Sequence, residues 1–249
     1  MVLDSYRHGA GGVDPHFSNV VSLLHLDGTH GSTTFTDEKG VTWGAGVNGV
    51  PSLSTSSPMF GTASLRLAQS GGSTGFDSLD GPNSLITNSS AENAQLVTIE
   101  GWAKMDTHAG FQYGWNPFVG QVQDVGSGDQ MLAFESGRVR FYRGGSHYAG
   151  GADAIGTTVA AINLWHHVAM TYDGTNIRTF LNGNLEATLA SAVGWAWSNQ
   201  PVKIGMNMAP TFSSYRLSLV GFVDEFRVTR NVARYTSSFT PPVAPFPNS

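Results

Sequence analysis

The chain has 249 residues, 31 of them glycine and none cysteine, with 12% charged residues and a net charge of −5. The lack of cysteine excludes a disulfide framework and any cysteine-based metal site. An acidic balance with no Lys/Arg cluster argues against a nucleic-acid groove. With 40% hydrophobic residues, the composition is that of a turn-rich globular protein.

Residues 1–17 (MVLDSYRHGAGGVDPHF) are glycine-rich and unpatterned, which predicts an arm that is mobile or docks on a neighbour. No apolar run follows Met1, and no stretch approaches about 18 apolar residues, so neither a signal peptide nor membrane insertion is expected. Residues 20–27 (VVSLLHLD) predict a buried strand closing on Asp27. Residues 33–37 and 41–43 are expected to pair through a turn at 37–40, and 64–67 (SLRL) alternates over a short run. The stretch 69–93 is mostly Gly, Ser, Asn and Asp and predicts a long surface connection.

Residues 96–104 (LVTIEGWAK) resume a strong strand pattern, with Val97, Ile99 and Gly101 on one side and Leu96, Thr98, Glu100 and Trp102 on the other. Residues 118–122, 131–135 and 139–142 predict three consecutive strands, followed by a glycine-rich loop over 144–156. The stretch 164–189 is the clearest in the chain. Val168, Met170 and Tyr172 alternate in one run, Ile177 and Leu181 in the next, and Asp173-Gly174-Thr175-Asn176 joins them as a hairpin. Asn182-Gly183 then turns into a third strand. Runs at 202–206 and 221–228 complete about a dozen short strands, and no sustained 3.6-residue stripe appears. The pattern predicts an all-β sandwich or jelly roll spanning 18–236. The proline-rich tail 237–249 cannot enter a sheet interior and is expected to run over the surface, pinned by Phe239 and Phe246.

Several motifs, in this order and spacing, carry a resemblance: LLHLDGTHGSTTFTDEKG, FGTASLRL, VTIEGWAK, LWHHVAMTYDGTNIRTFLNGN, VKIGMN and VDEFRVTRNVARYTSSFTPP. Together they resemble the concanavalin A-like lectin/glucanase superfamily, in its laminin-G/pentraxin form as found in phage tail and virion proteins. The resemblance implies a two-sheet antiparallel jelly roll. It also implies a structural Ca2+ held by Asp27 and Asp224, and a virion protein (tail fibre, tail tip or capsid decoration) made in the host cytoplasm. Relatives often continue Phe-Asp-Gly after FGTASLRL; here Leu67-Ala68-Gln69 stands there.

Glycoside hydrolysis needs two carboxylates about 5–10 Å apart, and glucanases of this superfamily carry Glu-x-Asp-x-x-Glu, which this chain lacks. Asp224 and Glu225 are adjacent and on a regular strand face opposite ways, as do His166 and His167. The chain is therefore expected not to be an enzyme. Aromatic side chains in Gly/Ser/Asn-rich connections stack on sugar C–H faces, so Trp195, Trp197, Tyr215, Tyr148, Trp115 and Tyr113 are the candidate carbohydrate-binding residues. Trp195 and Trp197 share a parity and form the first candidate platform. Plain packing and subunit contact compete with that role. The expected function is attachment to host surface glycans from a homo-oligomer, taken as a trimer, whose multivalency would raise weak sugar affinity. A structural protein binding only virion partners and a polysaccharide depolymerase, with Glu135 or Glu186 facing an Asp, are the alternatives.

Overall fold

The structure is a computed structural model that describes residues 12–46, 49–68, 76–87, 89–110, 114–123, 128–144, 152–196, 198–207 and 217–249. In chain order come β1 (Val20–Leu24), β2 (Gly44–Ala45), β3 (Ser52–Ser54), β4 (Ser64–Leu67), β5 (Leu79–Gly81), β6 (Val97–Met105), β7 (Trp115–Gln123), β8 (Gly128–Glu135) and β9 (Arg138–Arg143). They are followed by β10 (Ala152–Val159), β11 (Trp165–Tyr172), β12 (Asn176–Leu181), β13 (Asn184–Ala190), β14 (Val202–Ile204), β15 (Met206–Asn207), β16 (Leu217–Ser218) and β17 (Gly221–Arg230). Helix among the described residues is confined to two 3-10 turns, Phe17–Asn19 and Ser90–Glu92.

Two antiparallel sheets face each other. The back sheet runs β13-β12-β11-β6-β17-β4-β3, with β1 also paired to β17; the front sheet runs β10-β9-β8-β7-β14-β5-β2. Alternation decides which side chains meet between them. Val97, Ile99, Val168, Met170, Ile177, Val223 and Phe226 come from the back sheet; Phe118, Leu132, Phe134, Val139, Phe141, Val202 and Ile204 come from the front. The meander read from 164–189 is β11-β12-β13, with Val168 opposite Leu181 and Tyr172 opposite Ile177.

Two local expectations fail. No hairpin forms over 33–43; Asp37 makes only an isolated bridge to Leu24. The Asp37 carboxylate accepts from Ser22 Oγ at 2.5 Å, Lys39 N at 2.7 Å and Trp43 Nε1 at 3.0 Å. That side chain gathers donors into a turn in competition with a strand ladder. Within the loop expected over 144–156, the segment from Ala152 onward is strand β10 instead. Its inward residues are Ala152, Ala154 and Gly156, too small to register as an apolar alternation. A Cβ on Gly156 would stand 2.9–3.1 Å from Glu186 and Val139, so only a minimal residue lets β10 close against β13.

Residues 12–19 and the chain after β17 pack on the back sheet. Asp14 is 3% exposed, its N–H donates to the Ser249 carbonyl at 2.7 Å, and Phe246 packs with Val20 and Leu23.

Candidate glycan-binding face and its surroundings

The outward face of the front sheet is where strand register assembles a polar–aromatic cluster. Ser136 (φ 48°) and Gly137 (φ 82°) form a tight turn with both residues left-handed, the geometry that lets two twisted strands meet squarely. It sets Glu135 opposite Arg138, Ala133 opposite Arg140 and Met131 opposite Tyr142. On one flank Trp115 lies opposite Glu135; on the other Asp153 lies opposite Tyr142. Because Ala133 is small, the Arg140 side chain can cross its strand, and the guanidinium sits 4.8 Å from the Trp115 ring and 5.4 Å from Tyr142.

Arg140 Nε and Nη2 donate to the two Asp153 oxygens at 2.6 and 2.5 Å, and Nη1 donates to Glu135 Oε2 at 2.5 Å. The Asp153 bond, working against burial and joined by the Glu135 bond, raises the guanidinium above its ordinary value. Trp115 and Tyr142 meet edge to face at 6.0 Å, both half-buried, and pack with Met131, Ala133 and Leu217. Trp115 is placed by Gly110, whose φ of +54° and lack of a Cβ let the preceding loop touch the Trp115 carbonyl. Elsewhere on this face Lys203 pairs with Asp80. A planar apolar surface bordered by carboxylate acceptors and a fixed cation is suited to stacking a pyranose or furanose while bonding its hydroxyls.

Of the predicted sugar-binding residues among the described ones, Trp115 lies on this face. Trp195 is a correction: it is fully buried, 5.9 Å from Phe141, with Nε1 donating to Gln121 Oε1 at 2.9 Å. The reason is a polar cradle under its segment. Gln130 bonds both the N–H and the carbonyl of Ala196, and Arg143 Nη1 bonds the carbonyls of Val193 and Gly194 at 2.8 and 2.6 Å. The connection is therefore drawn into the sandwich, and its tryptophan fills the core. Trp197, Tyr215, Tyr148 and Tyr113 lie outside the described residues. Arg140, Tyr142 and Asp153 were missed, although the sequence Arg-Val-Arg-Phe-Tyr already alternates and so puts Arg140 and Tyr142 on one face.

Asp27 and Asp224 come to the same loop from two sides. Asp224 accepts Met59 N at 2.8 Å and Phe60 N at 3.2 Å; Asp27 accepts the amides of Thr62 and Ala63. A Cβ on Gly61, which has φ +58°, would run into the Asp27 carboxylate. Burial pushes the Asp224 carboxyl up to about 8; the Met59 and Phe60 amides pull against it and the Glu225 charge adds to it. No cluster of three acidic or histidine ligands occurs among the described residues. Were a calcium ion held at this loop, Asp27 and Asp224 would be its carboxylate ligands, and it would offset the charge of the buried Asp224 carboxylate.

Glu225 has φ 52° at a break in the β17 register between Asp224 and Arg227. This bulge turns both neighbouring carboxylates to the outer side of the back sheet, against the alternation assumed for a regular strand. Glu225 binds His25 Nδ1 at 2.8 Å and accepts Phe246 N at 2.8 Å. His166 and His167 behave as sheet histidines. Nε2 of His166 bonds the Ala161 carbonyl at 2.9 Å, and Nε2 of His167 lies 3.3 Å from Glu100.

The two facing antiparallel sheets define a concanavalin A-like jelly-roll sandwich. Residues 76–234 match the Laminin G 3 family, described as the concanavalin A-like lectin/glucanases superfamily, and the chain belongs to that family. Comparison with curated proteins gives no match. Among solved structures the chain is similar to domain 4 of AbnA, a GH43 extracellular arabinanase from Geobacillus stearothermophilus, in complex with arabinotriose. That likeness has a TM-score of 0.60 at 14% identity, covering 90% of this chain and 95% of the other. It is also similar to botulinum neurotoxin type C, whose cell entry depends upon interaction with two ganglioside molecules, with a TM-score of 0.59 at 15% identity over 86% of this chain and 48% of that one. The binding domain of Paraclostridial Mosquitocidal Protein 1 gives 0.58 at 13% identity, over 86% and 49%. The chain spans about half the length of these two toxin structures. At such identities the likeness is one of fold.

Proposed function

We propose that the protein binds glycans through the outer face of the front sheet, with Trp115 as the stacking surface and Tyr142, Arg140, Glu135 and Asp153 around it. The observation that carries this reading is the Trp115–Arg140–Tyr142 stack, held in place by two carboxylates on the outer side of the front sheet. That domains of this fold elsewhere are found with arabinotriose or interact with gangliosides supports it. In the phage setting implied by the sequence resemblance, the protein is carried on the virion among other virion proteins and attaches it to host surface glycans. Calcium at Asp27 and Asp224 would brace the loop at 59–63 and stay remote from the sugar.

A binding role is favoured over hydrolysis by how the two carboxylates beside Trp115 are engaged. Glu135 and Asp153 clamp the same guanidinium, whereas a glycosidase needs one carboxyl protonated and ready to donate. A second reading, an assembly module binding only its virion partners, is favoured by Ile155, Val159, Ile162, Leu164 and Leu185, which are 39–58% exposed on and beside β10 and β13. That band would equally serve a homo-oligomer, with a trimer as the working case.

A glycan-array screen, followed by titration calorimetry of the hits, tests the first reading. Trp115→Ala is expected to weaken binding at least about tenfold while the protein stays folded. Undiminished binding by that variant would move the site elsewhere, and no binding by folded wild-type protein would favour the assembly module.

A further inference from the structure

Arginine is the side chain best shaped to take a carboxylate, because its planar fork offers two parallel N–H donors. An exposed arginine beside a tryptophan on a sugar-binding face would therefore select acidic sugars. Here the fork is already taken. Both Nε and Nη2 of Arg140 are bonded to Asp153, and Nη1 is bonded to Glu135. The trio of Arg140, Glu135 and Asp153 carries a net charge of −1 beside the ring. Lys203 on the same face is paired with Asp80. Arg138 stands at the exposed outer end of β9, its Nε on the Thr157 carbonyl at 3.4 Å.

We propose that Glu135 and Asp153 are specificity-determining residues that close the Arg140 fork and so restrict the Trp115 platform to uncharged sugars. The inference rests on the glycan-binding reading above. Among the described residues, a sialic or uronic acid carboxylate placed over Trp115 meets the two like charges of Glu135 and Asp153, and it gains the Arg140 guanidinium only by displacing Asp153. A neutral sugar meets no such cost. Its hydroxyls donate to the carboxylate lone pairs that Arg140 leaves open, and each carboxylate accepts more than one bond. Specificity of this kind comes from penalising the wrong ligand as much as from holding the right one.

The test uses neutral oligosaccharides and their sialylated or uronic-acid-containing counterparts, titrated against wild-type protein, Asp153→Asn and Glu135→Gln/Asp153→Asn at low and moderate salt. Wild type is expected to bind the neutral member of each pair at least about tenfold more tightly. The double variant, with Arg140 released, is expected to lose or reverse that preference, and its gain for acidic sugars should fade as salt is added. Asp153 has a half-exposed side chain, so Asp153→Asn alone carries the test if the double variant does not fold. Wild type binding acidic sugars equally or better would overturn the inference and leave glycan binding intact. So would an unchanged preference in Asp153→Asn. Failure of folded wild type to bind any sugar would remove both the reading and the inference.

Discussion

The two sheets of the sandwich present very different outer faces. On the back sheet the outward residues of β6, β11, β12 and β17 are covered by residues 12–19 and by the chain after β17. On the front sheet Trp115 and Tyr142 pack beside Leu217 and stay half-buried among the described residues. The covered face holds a buried ionic network. Glu100 accepts Arg227 Nε and Nη2 at 3.0 and 2.7 Å and the Tyr235 hydroxyl at 2.8 Å, while Asp14 binds both Arg227 and Arg234. Above it Tyr235 stacks on Phe239 at 3.5 Å, and Phe246 lies 3.8 Å from the Arg227 guanidinium. Aromatic rings and charged groups therefore occur on both faces. On the back they are consumed by the protein's own chain, and on the front the rings keep surface that nothing described in the structure covers.

The comparison is broken most forcefully at the back. Removing one partner from a buried, fully bonded charge network leaves the others uncompensated, at a cost of about 3–5 kcal/mol. Arg227→Ala should accordingly lower the midpoint of thermal unfolding by about 10 °C, and a shift of a degree or two would show the network to be dispensable. The same network dictates an acid limb. Burial alone would raise the Glu100 carboxyl, but Arg227, His167 and Arg234 hold it well below its ordinary 4.5. A carboxylate with a depressed folded value stabilises above its unfolded value, and that stability drains away as pH falls towards the folded one. Stability should therefore decline below about pH 4.5, and the slope should flatten in Glu100→Gln if that variant folds, as denaturant melts across pH 2–6 would show.

Trp195 and Trp115 sharpen the comparison at single residues. Trp195→Ala opens a core cavity and strands Gln121, at about 3–5 kcal/mol, while the folded fraction should still bind glycan. Trp115→Ala should do the reverse, losing binding by at least about 1.4 kcal/mol with a smaller stability loss. If Trp195→Ala abolished binding in demonstrably folded protein, the front face would not be the whole site.

That pair also marks how far the sequence could be read. Strands whose alternation is fully apolar, such as Val97/Ile99 and Val168/Met170/Tyr172, were legible because burial between sheets demands that period. Trp195 was misread because shared parity with Trp197 says only that two side chains point the same way in an extended segment, not whether that way is outward. What draws it inward is Gln121, Gln130 and Arg143, three polar residues on β7, β8 and β9 far away in sequence. The front-face cluster escaped for a related reason. Glu135, Arg140 and Asp153 become neighbours only through the registers of β8, β9 and β10, and β10 itself was hidden by its alanines and glycine. The Asp27–Asp224 pairing came from the resemblance, and the structure adds the loop that both carboxylates hold.

The smallest effect expected is that of calcium, and it bears on how loop 59–63 is secured. A ligand bound only by the folded state stabilises it by RT ln(1 + [L]/Kd), about 1.4 kcal/mol at ten times the dissociation constant. Melts in calcium and in chelator should then differ by a few degrees in wild type. Asp224→Asn should erase that difference, since it removes the anionic ligand but keeps an acceptor for the Met59 and Phe60 amides. A wild type indifferent to calcium would mean that Asp27 and Asp224 serve the loop through their backbone bonds alone. Because these acids bear on 59–63 and the proposed sugar site lies on the outer front face, calcium should shift stability without changing glycan affinity at saturating folded protein. A chelator that lowered both in proportion would show that the brace and the binding face are coupled through the sandwich between them.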